Sequence, residues 1–571
     1  MVRVPIVGAP YSGKSIIASG QECVNLYAEI NANNDPQAPV PVSYYPTPGT
    51  KLFANPQFIK NARGAYRTSI GTAYYVVGQN VYFLTNNNQL VLVGVIADRE
   101  SQIKFSDNGL VCILVDGVNG YVIDLFTNQF GIIIDPNFYG ADYIALLDTF
   151  FIFNRPETNQ FYISASNASY GMLTNSAVAA GTITNAGSGG VDGVYQNVPL
   201  TGGTGSGAVA SSVQVTGGVV TGVDIGDGGI NYLVGDVLTA APANIGGVAG
   251  FTYTVNTSAS AFDPLDIAAK SGFNDPIVGI VTVHRELWLI GALTTEIWIG
   301  TGAADFYFQE VQGSYVNHGC IAQYSIATQD VLVFFLMQDQ QGKNIVVQGM
   351  GYDVTEISTP RIVSEFNKYS TTADAIGFCF QIEDHSYYAI VFPTANKGWI
   401  YDLTIKWWYE WNWTDIDGNL NRPRANCCMF ANNANLIGDW ENGLLLQLDI
   451  NTFTDYTPDM PTGPITRIRT FPHSVNNNLK VSYKSFDADI EVGTANKDET
   501  EVQVFLSWSD DKGRTYGNPV GQSLGLIGEF RTVPSWNRLG EARDRIFKLQ
   551  WSTANEVALN GAFVETTSAR S

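Results

Sequence analysis

The chain has 571 residues, 45% of them hydrophobic and 12% aromatic but only 15% charged, with 57 glycines and a formal net charge of −22. That is apolar material for several cores, roughly three or four domains. A glycine-rich, charge-poor composition points away from helical bundles and toward strands joined by tight turns, so the expected class is all-β. So acidic a chain offers no global basic face for gripping nucleic acid from outside; an acidic wall would let DNA slide past without sticking, and acidity also serves solubility alone.

Residues 1–62 open the chain with Pro5, Pro10, Pro36, Pro39, Pro41, Pro46, Pro48 and Pro56, a density that predicts an extended arm. The opening Met1-Val-Arg-Val-Pro5 has no apolar signal-peptide core, and no run of ~18 apolar residues would span a membrane, so no membrane insertion is expected. Within the arm, Gly8-Ala-Pro-Tyr-Ser-Gly13-Lys14-Ser15 fits the phosphate-binding pattern GxxxxGK[ST]. A working loop needs a helix starting at Gly13 over a parallel sheet. Gly20 interrupts that helix and no βαβ alternation follows, so a nucleotide site is rejected and no cofactor is expected.

From residue 63 one pattern keeps returning: an apolar strand, a short polar turn, then a strand ending in an aromatic. It appears at Tyr74–Leu84, Leu110–Leu125, Leu146–Ile163, Ile280–Ile299, Val331–Val347, Tyr387–Leu403 and Phe430–Leu448. Successive units start roughly 35–55 residues apart, the period of four-stranded propeller blades. The favoured reading is a β-propeller of about seven blades over residues 63–173 and 259–455, six or eight if blades are irregular, with an array of β-sandwiches as the plainer alternative. Between the two parts, residues 174–258 turn to Gly, Ala, Val, Thr and Ser with no Lys or Arg. Alternation at Val213–Val215 and Val219–Ile225 between Gly-rich turns predicts a small folded β module there rather than a linker. The proline-dense stretch Asp455–Pro464 ends the rhythm, and residues 456–571 read as a separate C-terminal β domain.

Chemistry-bearing constellations are few. Ser509-Asp-Asp511-Lys-Gly513-Arg-Thr515-Tyr516 fits the Asp-box pattern of sialidases, a hairpin turn remote from catalysis even in those enzymes. One copy outside the repeats, with no arginine cluster, tyrosine nucleophile and acid to accompany it, reads as a turn. Trp407-Trp-Tyr-Glu-Trp411-Asn-Trp413 offers a sugar-stacking platform or, preferred, core packing, since alternate strand residues face opposite sides. His284, His318, His385 and His473 are dispersed, and the six cysteines (23, 112, 320, 379, 427, 428) show no metal spacing and suggest folding in a reducing cytosol. Cys112 and Cys379 read as buried thiols. No catalytic or metal site is expected. Arg531, Arg538, Arg543 and Arg545 gather within fifteen residues, either a solvated turn paired with Glu541 and Asp544 or a docking patch.

Several ordered segments carry a resemblance: Gln21-Glu-Cys-Val-Asn25-Leu-Tyr27-Ala-Glu29 with Tyr45–Gly49, His318–Ala322, Gly351–Pro360, Tyr387–Asn396 with Trp399–Asp402, the Asp-box-like turn, and Arg538–Arg545. Across nearly the whole chain except the Gly-rich insert, the sequence resembles the packaged-DNA stabilization proteins of short-tailed bacteriophages, the tail accessory or nozzle family. The insert, by composition, resembles Gly-rich β modules set into many phage structural proteins. The resemblance also accounts for Gly8–Ser15, since a Tyr-x-x-Lys/Arg-Ser turn before the Asn-Leu-Tyr segment looks usual in that family.

The resemblance implies a virion protein assembled in the host cytoplasm: a ring, hexameric, below the portal and adaptor proteins. It would close the DNA exit, retain the genome while double-stranded DNA passes without specific binding, and hold a tail needle, fibres or spikes. No catalysis is implied; the rival reading is a propeller glycosidase acting on host surface glycan. The arm 1–62 is expected to pack on the C-terminal domain as a platform, with Asn25, Tyr27, Arg538, Arg543 and Arg545 as interface residues.

Overall fold

The computed structural model describes residues 2–5, 21–30, 42–303, 305–339, 341–477, 479–494 and 502–568. The Gly8–Ser15 segment lies outside them. Strands dominate; the α-helices among the described residues are two short ones, Tyr170–Leu173 and Pro360–Phe366, the latter started by Thr359, whose side chain accepts from the Ile362 amide, and by proline in its first turn.

The chain divides into two compact units. The second unit, Tyr66–Phe83 with Val91–Gly319, holds four antiparallel four-stranded sheets. The first, most of whose residues fall in this unit, runs Ala62–Arg67, Ala73–Val77, Asn80–Leu84, Leu90–Val95; the second runs Lys104–Asp107, Val111–Val115, Gly120–Asp124, Phe130–Ile132. The fourth runs Ile277–Val283, Glu286–Gly291, Thr295–Gly300, Phe308–Glu310. Their middle strands are apolar on both faces: every residue of Ala73–Val77 and of Val111–Val115 is buried. Strands covered on both sides carry near-continuous hydrophobic runs.

The third sheet of this unit shows how the insert is attached. Ile144–Leu147, Phe150–Asn154 and Gln160–Ile163 are followed in sequence by the Gly-rich stretch, and only then by the fourth strand, Ile267–Ala269, which pairs Gln160 with Ala269. The insert therefore interrupts one blade between its third and fourth strands, not a connection between blades. It folds as six strands, Ala177–Asn185, Gly193–Gly202, Val209–Thr216, Val219–Asp227, Val237–Ala240 and Thr252–Ala259. The Val178 amide donates to the Gly228 carbonyl (2.8 Å) and the Val220 amide to the Ala186 carbonyl (2.9 Å), so the two edges of the sheet curl together. Inside lies a core of its own, including Val198, Leu200, Val213, Leu238, Phe251 and Tyr253.

The first unit, Met1–Ala65, Leu84–Leu90 and Cys320–Ser571, holds three further sets of four strands. One runs Ala327–Gln329, Leu332–Gln338, Asn344–Met350, Asp353–Glu356. Another runs Ile376–Ile382, His385–Phe392, Lys397–Asp402, Trp407–Glu410. In the last, Ala425–Ala431, Ala434–Asp439 and Leu445–Asp449 are completed by Gly49–Ala54 from the start of the chain. The described part of the proline-rich stretch is thus not one extended arm, because its strands are taken up by sheets: Gly49–Ala54 closes a blade, and Leu26–Ile30 pairs with Val42–Pro46. A side chain at Gly49 would strike the Thr452 and Thr454 carbonyls, so glycine lets this strand seat. Each set has the four-stranded antiparallel form of a propeller blade, three in this unit and four in the other among the described residues.

The C-terminal domain is a β-sandwich in the same unit. One sheet orders Leu26–Ile30, Val42–Pro46, Leu559–Ser568, Val481–Ile490 and Ser535–Ala542, with Val2–Pro5 also paired to Leu559–Ser568. The other contains Arg467–Thr470, Asp544–Trp551, Gln503–Ser509 and Val520–Ser523. Its core gathers Leu26, Tyr44, Phe486, Phe547, Leu549 and Trp551. N-terminal strands supply part of both sheets, so arm and C-terminal domain form one folded body.

Candidate functional site

Residues 21–30 build a junction between a propeller blade and the sandwich. The two-residue strand Cys23–Val24 pairs in parallel with Trp407–Glu410 (Val24 opposite Glu410) and antiparallel with Arg467–Thr470 (Cys23 opposite Arg469). It therefore fuses the blade sheet and a sandwich sheet into one ten-stranded sheet.

Asn25 follows at φ +54, a left-handed conformation that asparagine tolerates better than most residues. Fully buried, it makes four hydrogen bonds. Its amide donates to the Glu410 carbonyl (2.9 Å) and its carbonyl accepts from the Thr47 amide (3.1 Å). Its side-chain Nδ2 donates to the Thr466 carbonyl (2.8 Å), and its Oδ1 accepts from the Asn412 amide (2.8 Å). One residue thus satisfies backbone groups on all sides, its side chain those of Thr466 and Asn412 and its own backbone those of Glu410 and Thr47, which would otherwise be buried without partners. Tyr27 is buried beside it, stacked on Tyr45 at 5.8 Å and edge-on to His385 at 5.6 Å. Asn25 and Tyr27, expected at an interface, are instead interior residues of this unit.

Arginines stitch the same seam, Arg467 and Arg469 buried and Arg361 partly so. Arg469 donates through Nη2 to the Gln21 side-chain oxygen (2.9 Å) and through Nη1 to the Thr470 carbonyl (2.8 Å), with its guanidinium 4.8 Å from the Tyr44 ring. Arg361 donates to the Gln21 carbonyl (2.9 Å). Arg467 donates to the carbonyls of Thr553 (2.9 Å) and Phe453 (3.1 Å). Nearby, burial pushes the Asp455 carboxyl up to about 6, while it accepts from Thr50 Oγ1 (3.0 Å). The His385 imidazole, at 2.6 Å from Asp402, is held above its ordinary pKa by that hydrogen bond.

The arginine cluster divides. Arg545 is 2% exposed, and grips Asp510 with two parallel hydrogen bonds, Nε to Oδ1 at 2.6 Å and Nη2 to Oδ2 at 2.7 Å. Its Nη1 donates to the Leu539 carbonyl, and the guanidinium sits 4.6 Å from the Tyr483 ring. Like Asn25 and Tyr27, it belongs to the fold of its own domain and not to a docking face. Period-two alternation could have shown this, since Arg545 shares a strand face with the buried Phe547, Leu549 and Trp551. Arg538 and Arg543 are exposed.

The other motifs resolve as structure. Asp511 Oδ1 accepts from Ser509 Oγ (2.7 Å) and from the Arg514 and Thr515 amides (3.0 and 2.9 Å), and Oδ2 from Thr515 Oγ1 (2.6 Å). Those donors hold its carboxyl far below the usual range. This is a turn after the strand Gln503–Ser509, with Gly513 at φ +88. Trp408 and Trp411 are buried, the Trp408 indole donating to the Ile357 carbonyl (2.8 Å), so this aromatic run packs the core. Cys112 is fully buried and Cys379 partly so; all six cysteines are free thiols. A cavity of about 10 Å³ beside Tyr27, Phe380, Tyr387, Tyr409 and Trp411 has room for a single water, not a substrate. Among the described residues no group of three or more His, Cys, Asp or Glu could hold a metal ion, and no helix is long and apolar enough to cross a membrane.

Comparison with known proteins agrees with this layout. Residues 247–453 match the family model described as bacteriophage P22 Gp10, beta-propeller, and residues 467–567 match bacteriophage P22 Gp10, beta-sandwich. Together they span more than half of the chain. No curated protein matches it. Among solved structures, a streptogramin B lyase aligns at 7% identity over 70% of this chain and 97% of that one, with a TM-score of 0.33. The Pan2 WD40 domain of Neurospora crassa aligns at 6% identity over 71% and 95%, with a TM-score of 0.32. Likeness that distant says nothing about activity. Matched in order by both family models, and built as propeller blades joined to a sandwich, the chain belongs to the bacteriophage P22 Gp10 family of phage tail structural proteins.

Proposed function

We propose that the chain is a subunit of the tail nozzle, a ring, hexameric, that closes the DNA exit, retains the packaged genome and anchors a tail needle, fibres or spikes. The observation that carries this reading is the sheet that runs unbroken from a blade into the sandwich through Cys23–Val24. A part that resists pressure from packaged DNA needs domains that cannot hinge, and a shared sheet sealed by Asn25 and Arg469 supplies that stiffness. Double-stranded DNA would pass without specific binding, since a net charge of −22 repels phosphate at close range. The portal and adaptor would lie above, with Arg538 and Arg543 offering exposed guanidinium groups to an acidic partner or neighbouring subunit. The protein is read as a non-enzyme: its Asp box is a turn, and its tryptophan run is core. The test is its position in imaged virions. A ring below the portal is expected; a chain absent from the tail, or carried as a separate glycan-cleaving spike, would contradict it.

A further inference from the structure

The outermost strand of a blade has an open edge, and natural sheets usually blunt such edges with charge, proline or a covering segment. Most blades here do so. Phe308–Glu310 carries Glu310, Asp353–Glu356 carries two acids, and Gly49–Ala54 carries Lys51. Trp407–Glu410 carries Glu410 and is covered by Cys23–Val24. Ile267–Ala269 is flanked by Asp266 and Lys270.

Two consecutive blades of the second unit break the rule. Their outer strands are Leu90–Val95, read LVLVGV, and Phe130–Ile132, and residues 91–97 and 125–134 contain no charged side chain. The strands are neighbours: a side chain at Gly94 would collide with the Phe130 ring at 2.2 Å, and the Ala97 amide donates to the Tyr121 hydroxyl (2.9 Å), whose ring stacks on Phe130. Across this rim Val91, Leu92 and Val95 are about half exposed, with Phe126, Ile132 and Ile134 from 45% to 72%. Six large apolar side chains facing water together are characteristic of an interaction surface.

We infer that this rim is the surface on which a second copy of the chain docks. The argument is electrostatic. Two copies at −22 each repel, and bringing carboxylates into a shared interface adds their desolvation to that repulsion. Contact between copies is least opposed where the surface holds few charges and has apolar area to remove from water; the two rim strands hold no charge, with Asp98, Asp124 and the buried Asp135 at the ends of their segments. The same lack of charge disfavours a nucleic acid, which would need cations. The inference rests on the ring proposed above and assigns one of its contact faces.

The test uses the full chain with Leu92→Glu and Ile134→Glu combined, placing carboxylates on two half-exposed positions. Ile416→Glu, at an 81% exposed turn residue of the other unit, is the control. Self-association is read by sedimentation and native mass spectrometry, and folding by thermal unfolding. The double variant is expected to weaken association roughly tenfold or more with its melting temperature kept, while the control associates like the parent. Should the double variant unfold, Leu92→Thr with Ile134→Thr gives the same reading with strand propensity preserved. Unchanged association in a folded rim variant overturns the inference while leaving the ring intact. A parent chain that stays monomeric at high micromolar concentration overturns the inference and the ring together, and retention of that monomer by lipid vesicles or another virion protein through the rim would identify the other occupant.

Discussion

The Gly-rich insert and the blade–sandwich junction are both β structure, yet they are held in opposite ways. The insert is local: its six strands fall within one continuous stretch of about eighty residues, its core is its own, and it has no lysine or arginine. The junction is assembled from residues more than four hundred positions apart, as when Asn25 bonds to Thr466, and depends on buried arginines. A module of the first kind can be gained or lost with little consequence for its host; one of the second kind fails as a whole.

The largest loss is expected at Arg545. Arg545→Met removes a two-pronged ion pair and leaves the Leu539 carbonyl without its donor, for about 2–4 kcal/mol, the half-exposed Asp510 keeping the figure below that of a fully buried pair. Arg543→Glu, on the outside of the same segment, should cost under about 1 kcal/mol. Equal effects in denaturant titration would erase the division within the arginine cluster.

Asn25→Ala should cost about 2 kcal/mol, from two lost side-chain hydrogen bonds and a strained backbone. Asn25→Gly loses the same bonds but relaxes the φ of +54, and should recover about 1 kcal/mol of that. A glycine variant no better than alanine would show that conformation contributes nothing there.

The Asp455 carboxyl, with a folded pKa raised to about 6, is protonated more readily in the folded chain than in the unfolded one. Its contribution is therefore fully present below the ordinary carboxylate pKa of about 4 and is lost as pH rises through about 6, on the order of 3 kcal/mol. Asp455→Asn should flatten stability between those pH values, measured by unfolding at each; an unchanged slope would assign the pH dependence elsewhere.

The smallest effect is expected from the insert. Replacing residues 177–259 by a short turn should shift the melting temperature of the remainder by no more than roughly 2–4 °C, since loop closure depends weakly on length. The excised stretch should fold alone. A remainder that fails to fold would mean the insert supports its host blade.

How legible each region was follows from the same contrast. Blades could be read from the recurrence of apolar strands, because middle strands such as Val111–Val115 are covered on both faces and show it as unbroken apolar runs. The Asp511 turn was readable because all its partners lie within four residues. The entry of Gly49–Ala54 into the last blade, the position of the insert inside a blade, and the role of Asn25 depend on pairings across hundreds of residues, which no local pattern encodes. Arg545 is illegible for a different reason: sequence proximity groups it with Arg538 and Arg543, although a strand sends neighbours to opposite faces.

The most direct measurement of the proposed role is DNA retention in particles assembled without the chain. Such particles are expected to fill and then lose their genome on isolation, with retention restored when the purified chain is added back. Particles that keep their DNA and eject it normally without the chain would contradict a role in closing the exit channel.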